Sequence, residues 1–196
     1  MTQRSKLYIG LAGLAVLIAL AIFSYNTLSG RVNPEVSIEL PNKNDLMTGS
    51  AAERQKAPNF TMLDWEGNSV MLSDIVARGK PVILNFWASW CPPCKFEMPD
   101  FNTVHQEFGD EISFVMLSVV DGMRETVATA KKYIDDEGLS LPVYFDTKQE
   151  AAIAYGIRFI PSTFVVDTDG YFVTYVQGAV DKTTLRMIVE FFRTES

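Results

Sequence analysis

Pro81-Val82-Ile83-Leu84-Asn85-Phe86-Trp87-Ala88-Ser89-Trp90-Cys91-Pro92-Pro93-Cys94 carries both cysteines of the 196-residue chain, at the end of a run rich in β-forming residues. A proline cannot donate to a strand ladder but is tolerated at a strand's first position, so Pro81 to Trp87 predicts a buried central strand. Beyond the cysteines, Phe96, Phe101, Val104 and Phe108 recur at helical spacing, which makes the cysteine pair the opening of a helix. Pro99 falls inside that helix and is expected to kink it, because it removes a hydrogen bond and crowds the preceding turn. His105 lies beside the apolar stripe and reads as a partly buried surface residue.

On the N-terminal side, Phe60 to Asp64 and Ser69 to Leu72 flank Glu66-Gly67-Asn68, the pattern of a β-hairpin. On the C-terminal side the pattern alternates. Ile112 to Val120 reads as a strand, Arg124 to Glu137 as an amphipathic helix, Leu141 to Phe145 as a strand and Glu150 to Tyr155 as a helix. Ser162 to Asp167 and Tyr171 to Gln177 then form two strands around Thr168-Asp169-Gly170, and Lys182 to Phe192 a last helix. Strands alternating with helices predict an α/β sheet, closed by an antiparallel hairpin and covered by helices on both faces.

The two cysteines limit the chemistry. A structural zinc site takes four ligands, and even with His105 the chain offers three cysteine or histidine ligands. A structural disulfide closing so short a ring contributes only about 2 kcal/mol by loop entropy, so redox work is the better reading. A cysteine at the first turn of a helix lies in the field of unpaired N–H groups, which stabilises thiolate over thiol. Lowering a thiol pKa from about 8.5 to about 7 raises the thiolate fraction at neutral pH from roughly 3% to about half. Cys91 is therefore the expected nucleophile, and Cys94, nearly one turn inward, the thiol that resolves the mixed disulfide. Cys94 needs a base. Glu97, three residues on and on about the same face, is the candidate; the alternative is a solvated carboxylate favoured by the helix N-terminal half.

The formal charge is −7, and Arg4, Lys6 and Arg31 are three of the 17 basic residues, so beyond Asn33 the chain holds 14 basic against 24 acidic residues. So acidic a body repels phosphate backbones, and no basic stripe interleaved with aromatics offsets it, which excludes a nucleic-acid role. Leu7 to Phe23 is nearly all apolar and extends to Leu28 without a charge, long enough to span a bilayer as a helix. Arg4 and Lys6 precede it, so the N-terminus is expected in the cytoplasm and the redox domain outside. A cleaved signal peptide is the competing reading, but the run is long for one and Thr27-Leu28-Ser29 is a poor cleavage site. The expected organisation is a stub and membrane anchor over 1–30, a linker over 31–56 and one redox domain over 57–196.

Trp90-Cys91-Pro92-Pro93-Cys94, Pro99, and Ile160-Pro161 ahead of a strand together resemble thioredoxin-fold proteins. From Ala57-Pro58-Asn59-Phe60 through Phe86-Trp87-Ala88-Ser89-Trp90 to Pro161-Ser162-Thr163-Phe164 the chain is similar to the membrane-anchored TlpA/ResA family. The helix and strand between Arg124 and Phe145 resemble that family's insertion into the plain thioredoxin fold. The resemblance implies a thioredoxin-like α/β fold with an N-terminal β-hairpin and a central helix-strand insertion, preceded by one transmembrane helix. It implies Cys91 as attacking thiol, Cys94 as resolving thiol, Pro161 as a cis-proline positioning the substrate beside Trp90, and Glu97 as an active-site glutamate. Thioredoxin carries a buried aspartate where this chain has Asn85, which cannot act as a base. The implied activity is extracytoplasmic reduction of protein disulfides, apocytochrome c among the clients. The implied electron donor is a membrane thiol carrier of CcdA or DsbD type, with no cofactor and no metal.

Three rival readings share features with this one. A thiol oxidant of DsbA type has the fold, but such proteins resemble Cys-Pro-His-Cys, and Pro93 lacks the histidine's hydrogen bonding. A peroxiredoxin places threonine three residues before its cysteine, where this chain has Ala88. A copper-binding assembly factor wants two thiols and a well-placed histidine, and His105 is badly positioned for that.

Overall fold

The computed structural model describes residues 17–20, 23 and 54–193. Residues 17–20 and 23 are helical and exposed. Among the described residues no helix is long and apolar enough to cross a membrane. The anchor expected within 1–30 lies outside the described residues apart from those five, as does the linker up to residue 53. Residues 54–56 already bond to the body, Arg54 to Asp167 at 2.8 Å and Gln55 through its carbonyl to the Phe172 N–H.

The redox domain runs β1 (Thr61–Leu63), β2 (Ser69–Met71), α1 (Leu72–Val76), β3 (Val82–Trp87), α2 (Pro92–Phe108), β4 (Ser113–Ser118), α3 (Val127–Asp136), β5 (Val143–Phe145), α4 (Glu150–Ala154), β6 (Ser162–Val166), β7 (Phe172–Gln177) and α5 (Lys182–Arg193). The strands make one mixed sheet in the order β2-β1-β5-β4-β3-β6-β7. β3 pairs parallel with β4 and antiparallel with β6, and β4 pairs parallel with β5 through the α3 crossover. This is a thioredoxin-like fold, with the N-terminal hairpin added at the outer edge of β5.

The continuous apolar run of β3 follows from its position. Every residue from Val82 to Trp87 is buried, because both faces are covered, as parallel strands require. Ile83 and Trp87 pack with Met98, Phe101 and Val104 of α2, Ala130, Tyr133 and Ile134 of α3, and Leu185, Ile188 and Val189 of α5. Val82, Leu84 and Phe86 face the other way, onto Leu72 and Ile75 of α1 and Ala151 of α4. Each fully buried side chain of this size contributes about 1.5–3 kcal/mol relative to leaving it in water.

Two stretches differ from the sequence reading. Leu72 does not end a strand but opens α1, whose first turn is held by Asp74 accepting from the Met71 N–H at 3.0 Å and Asn59 accepting from the Ser73 N–H. The third helix begins at Val127 rather than Arg124. Thr126 caps it, and Asp121 takes the preceding residues into a tight loop by accepting the N–H groups of Met123, Arg124 and Glu125 at 2.8–2.9 Å. Asp and Thr side chains offer the backbone these local partners in place of helix bonds. Pro99 lies inside α2, as expected.

Candidate active site

Cys91 and Cys94 sit where the buried central strand passes into α2. Cys91 is the N-cap and Pro92 and Pro93 fill the first helical positions, where a missing N–H costs nothing. The pair is joined as a disulfide. Cys94 is fully buried, whereas Cys91 keeps a sliver of surface, 3% exposed. The Cys94 N–H donates to Cys91 Sγ at 3.3 Å, the contact that would stabilise a thiolate at the helix N-terminus. The Ile160–Pro161 bond is cis, and the Ile160 carbonyl oxygen lies 3.7 Å from Cys91 Sγ.

Glu97 is not a solvated carboxylate. It is 1% exposed, three residues past Cys94 on α2. Its Oε1 accepts from Asn85 Nδ2 at 2.8 Å and its Oε2 from the Val180 N–H at 2.8 Å. Burial pushes its pKa up to about 8, and the two hydrogen bonds, which favour the charged form, only partly offset that. Asn85 Nδ2 also donates to Thr163 Oγ1 at 3.0 Å, so strand β3, helix α2 and strand β6 meet at one buried amide. Asn85 and Val180 escaped the sequence reading as partners because each is remote along the chain from Glu97.

A second buried carboxylate, Glu125, gave no signal in the sequence. It accepts from the Ser89 N–H at 3.0 Å, from Ser89 Oγ at 2.6 Å and from Ser118 Oγ at 3.0 Å. These bonds hold the approach to the redox motif against the end of β4. Its neighbour Arg124 lies over the Trp90 ring, 3.8 Å from the centroid. Trp90 is 39% exposed, so one part of its indole faces solvent and another the guanidinium.

His105 lies apart from this cluster. Eleven residues beyond Cys94, it is about 16 Å along the helix axis. Its ring packs edge-on against Phe114, and burial lowers its basicity despite the nearby Asp110.

The chain is similar in sequence and fold to known proteins. The AhpC/TSA family model matches residues 54–175. The thiol-disulfide oxidoreductase ResA of Bacillus thuringiensis strain Al Hakam is 34% identical over 146 residues, 71% of this chain and 82% of that protein. The crystal structure of StoA from Bacillus subtilis superposes with a TM-score of 0.58 at 27% identity, covering 69% of this chain and 97% of that one. A thiol:disulfide interchange protein of the thioredoxin family from Chlorobium tepidum TLS gives 0.60 at 29% identity, covering 70% and 94%.

Proposed function

Because the chain belongs to the ResA-like thiol-disulfide oxidoreductases, we propose that it acts as a reductant of disulfides in extracytoplasmic client proteins. Cys91 thiolate attacks a client sulfur, the client's other sulfur leaves as thiolate, and a mixed disulfide forms. Cys94 then gives its proton to the Glu97 carboxylate and attacks Cys91 Sγ, releasing the second client thiolate. The client gains two electrons, and the domain ends as the Cys91–Cys94 disulfide.

The observation that carries this reading is the buried carboxyl group of Glu97. With its pKa pushed up to about 8 beside the closed disulfide, it keeps at neutral pH the proton that Cys94 surrendered. Re-reduction returns that proton to Cys94. The family resemblance supports a membrane dithiol carrier of CcdA or DsbD type as the source of those electrons and apocytochrome c as a client. The apolar run from Leu7 to Phe23 behind Arg4 and Lys6 supports a single cytoplasm-to-outside anchor.

The reduction potential of the full-length chain, equilibrated with glutathione buffers and read by thiol alkylation, tests the direction. A value near or below about −270 mV fits a reductant, whereas one near about −120 mV would make the chain an oxidant of DsbA type.

A further inference from the structure

The cysteines are framed by Trp90 before them, by the first turn of α2 after them and by Ile160 across from Cys91 Sγ. Next to these groups stand large exposed apolar side chains: Phe96 two residues past Cys94, Phe159 beside Ile160, and Met123 beside Arg124. Isolated apolar residues on a surface need no explanation, but several gathered at one site mark a contact surface.

The exposed charges flanking the cysteines are mostly basic. Arg124, Lys95 and Arg158 are exposed. Two acidic neighbours are turned to internal partners, Glu125 buried on Ser89 and Ser118 and Glu97 on Asn85 and Val180; the exposed Asp121 accepts three backbone N–H groups and lies in the field of Arg124. This arrangement runs against the composition of the body, where acidic residues outnumber basic ones 24 to 14 beyond Asn33.

Two of these cations are held over aromatic rings, Arg124 the closer. Its guanidinium carbon lies 3.8 Å from the indole centroid, and a guanidinium stacked on a ring keeps edge donors that can pair with a carboxylate. Lys95 lies over the Tyr133 ring, 4.9 Å from its centroid. A side chain already held in one orientation loses less freedom on binding.

We infer that Arg124, stacked on Trp90, makes the rim around Cys91 a docking site for a client segment that carries an acidic side chain beside its cystine. The inference rests on the reductase reading and adds the chemical class of client. Arg124 is a specificity-determining residue in this scheme; it takes no part in the exchange of electrons.

The test uses the reduced full-length chain and three cystine peptides, identical except for Asp, Asn or Lys beside the disulfide. At about 0.1 M salt, fields beyond about 10 Å are screened, so the contact at the rim decides. The Asp peptide should be reduced about five-fold faster than the Lys peptide. Arg124→Glu should invert that order, which loss of structure alone would not do, and Arg124→Lys should keep its direction. Equal rates for the three peptides, or an order that Arg124→Glu leaves unchanged, would overturn the inference. A chain that reduces none of the three would overturn the reductase reading along with it.

Discussion

Asn85 Nδ2 donates to Glu97 Oε1 across 2.8 Å, tying the central strand to the redox helix inside the core. Where thioredoxin has an aspartate, this chain has a neutral donor, and the carboxylate has moved to the helix. Two acids at this separation would compete for one proton, whereas an amide and an acid need not.

Replacing Glu97 by Gln keeps the size of the side chain and removes the proton acceptor. The variant should form mixed disulfides through Cys91 at close to the normal rate but resolve them about 10²-fold more slowly. Quenched-flow alkylation that resolves the two steps reads this directly. Unchanged resolution across pH 6 to 8 would assign Cys94 deprotonation to another group.

The same burial makes stability depend on pH. Unfolded, Glu97 titrates near its ordinary 4.5; folded, near 8. Between those values the native state binds a proton that the unfolded state has lost, so the stability Glu97 contributes is full below 4.5 and is lost as pH rises through 8. The oxidised protein should therefore lose a few kcal/mol between pH 5 and 9, and Glu97→Gln should flatten that part of the profile. Urea denaturation at a series of pH values measures it, and parallel profiles for the two proteins would refute the assignment.

The cysteines divide the labour by position. Cys91→Ser should abolish exchange, since the sulfur at the helix N-cap is gone. Cys94→Ser should accumulate covalent adducts with clients, visible on non-reducing gels. A Cys94→Ser protein whose remaining thiol can be alkylated but which captures no client would reverse the roles.

Glu125 offers a test of the scaffold. Glu125→Ala strips the Ser89 N–H, the Ser89 hydroxyl and the Ser118 hydroxyl of their shared acceptor and should cost about 2–4 kcal/mol, because buried donors left without partners carry their full desolvation penalty. Glu125→Gln retains an acceptor and should cost less. Chemical denaturation of the oxidised forms ranks them, and an Ala variant as stable as the Gln variant would show that these bonds contribute nothing.

What could be read from the sequence was what local signals carry. The β3 run, the helix after the cysteines and the closing β6–β7 hairpin each follow from residue type and spacing within a few positions. The helix Leu72–Val76 was missed because Ile75 and Val76 favour strands and its start depends on Asp74 and Asn59 side chains. Arg124 and Glu125 read as helix because Asp121's three N–H bonds leave no mark on hydrophobic periodicity. At the site, Cys91, Cys94, Glu97 and Pro161 stood out by motif. Glu125 did not, since a glutamate beside an arginine near a helix start reads as solvated, and only the fold shows it turned inward.

The hairpin β1–β2 joins the rest of the sheet through the single register pair Leu63 with Phe145, whereas β3 is bonded along its length to β4 on one side and β6 on the other. Local opening therefore starts at the β2 edge and reaches the middle last. Amide exchange should be fast at the hairpin and slowest in β3, so the domain can breathe at its margin, or lose that margin to a protease, while the strand that delivers the sulfurs stays closed.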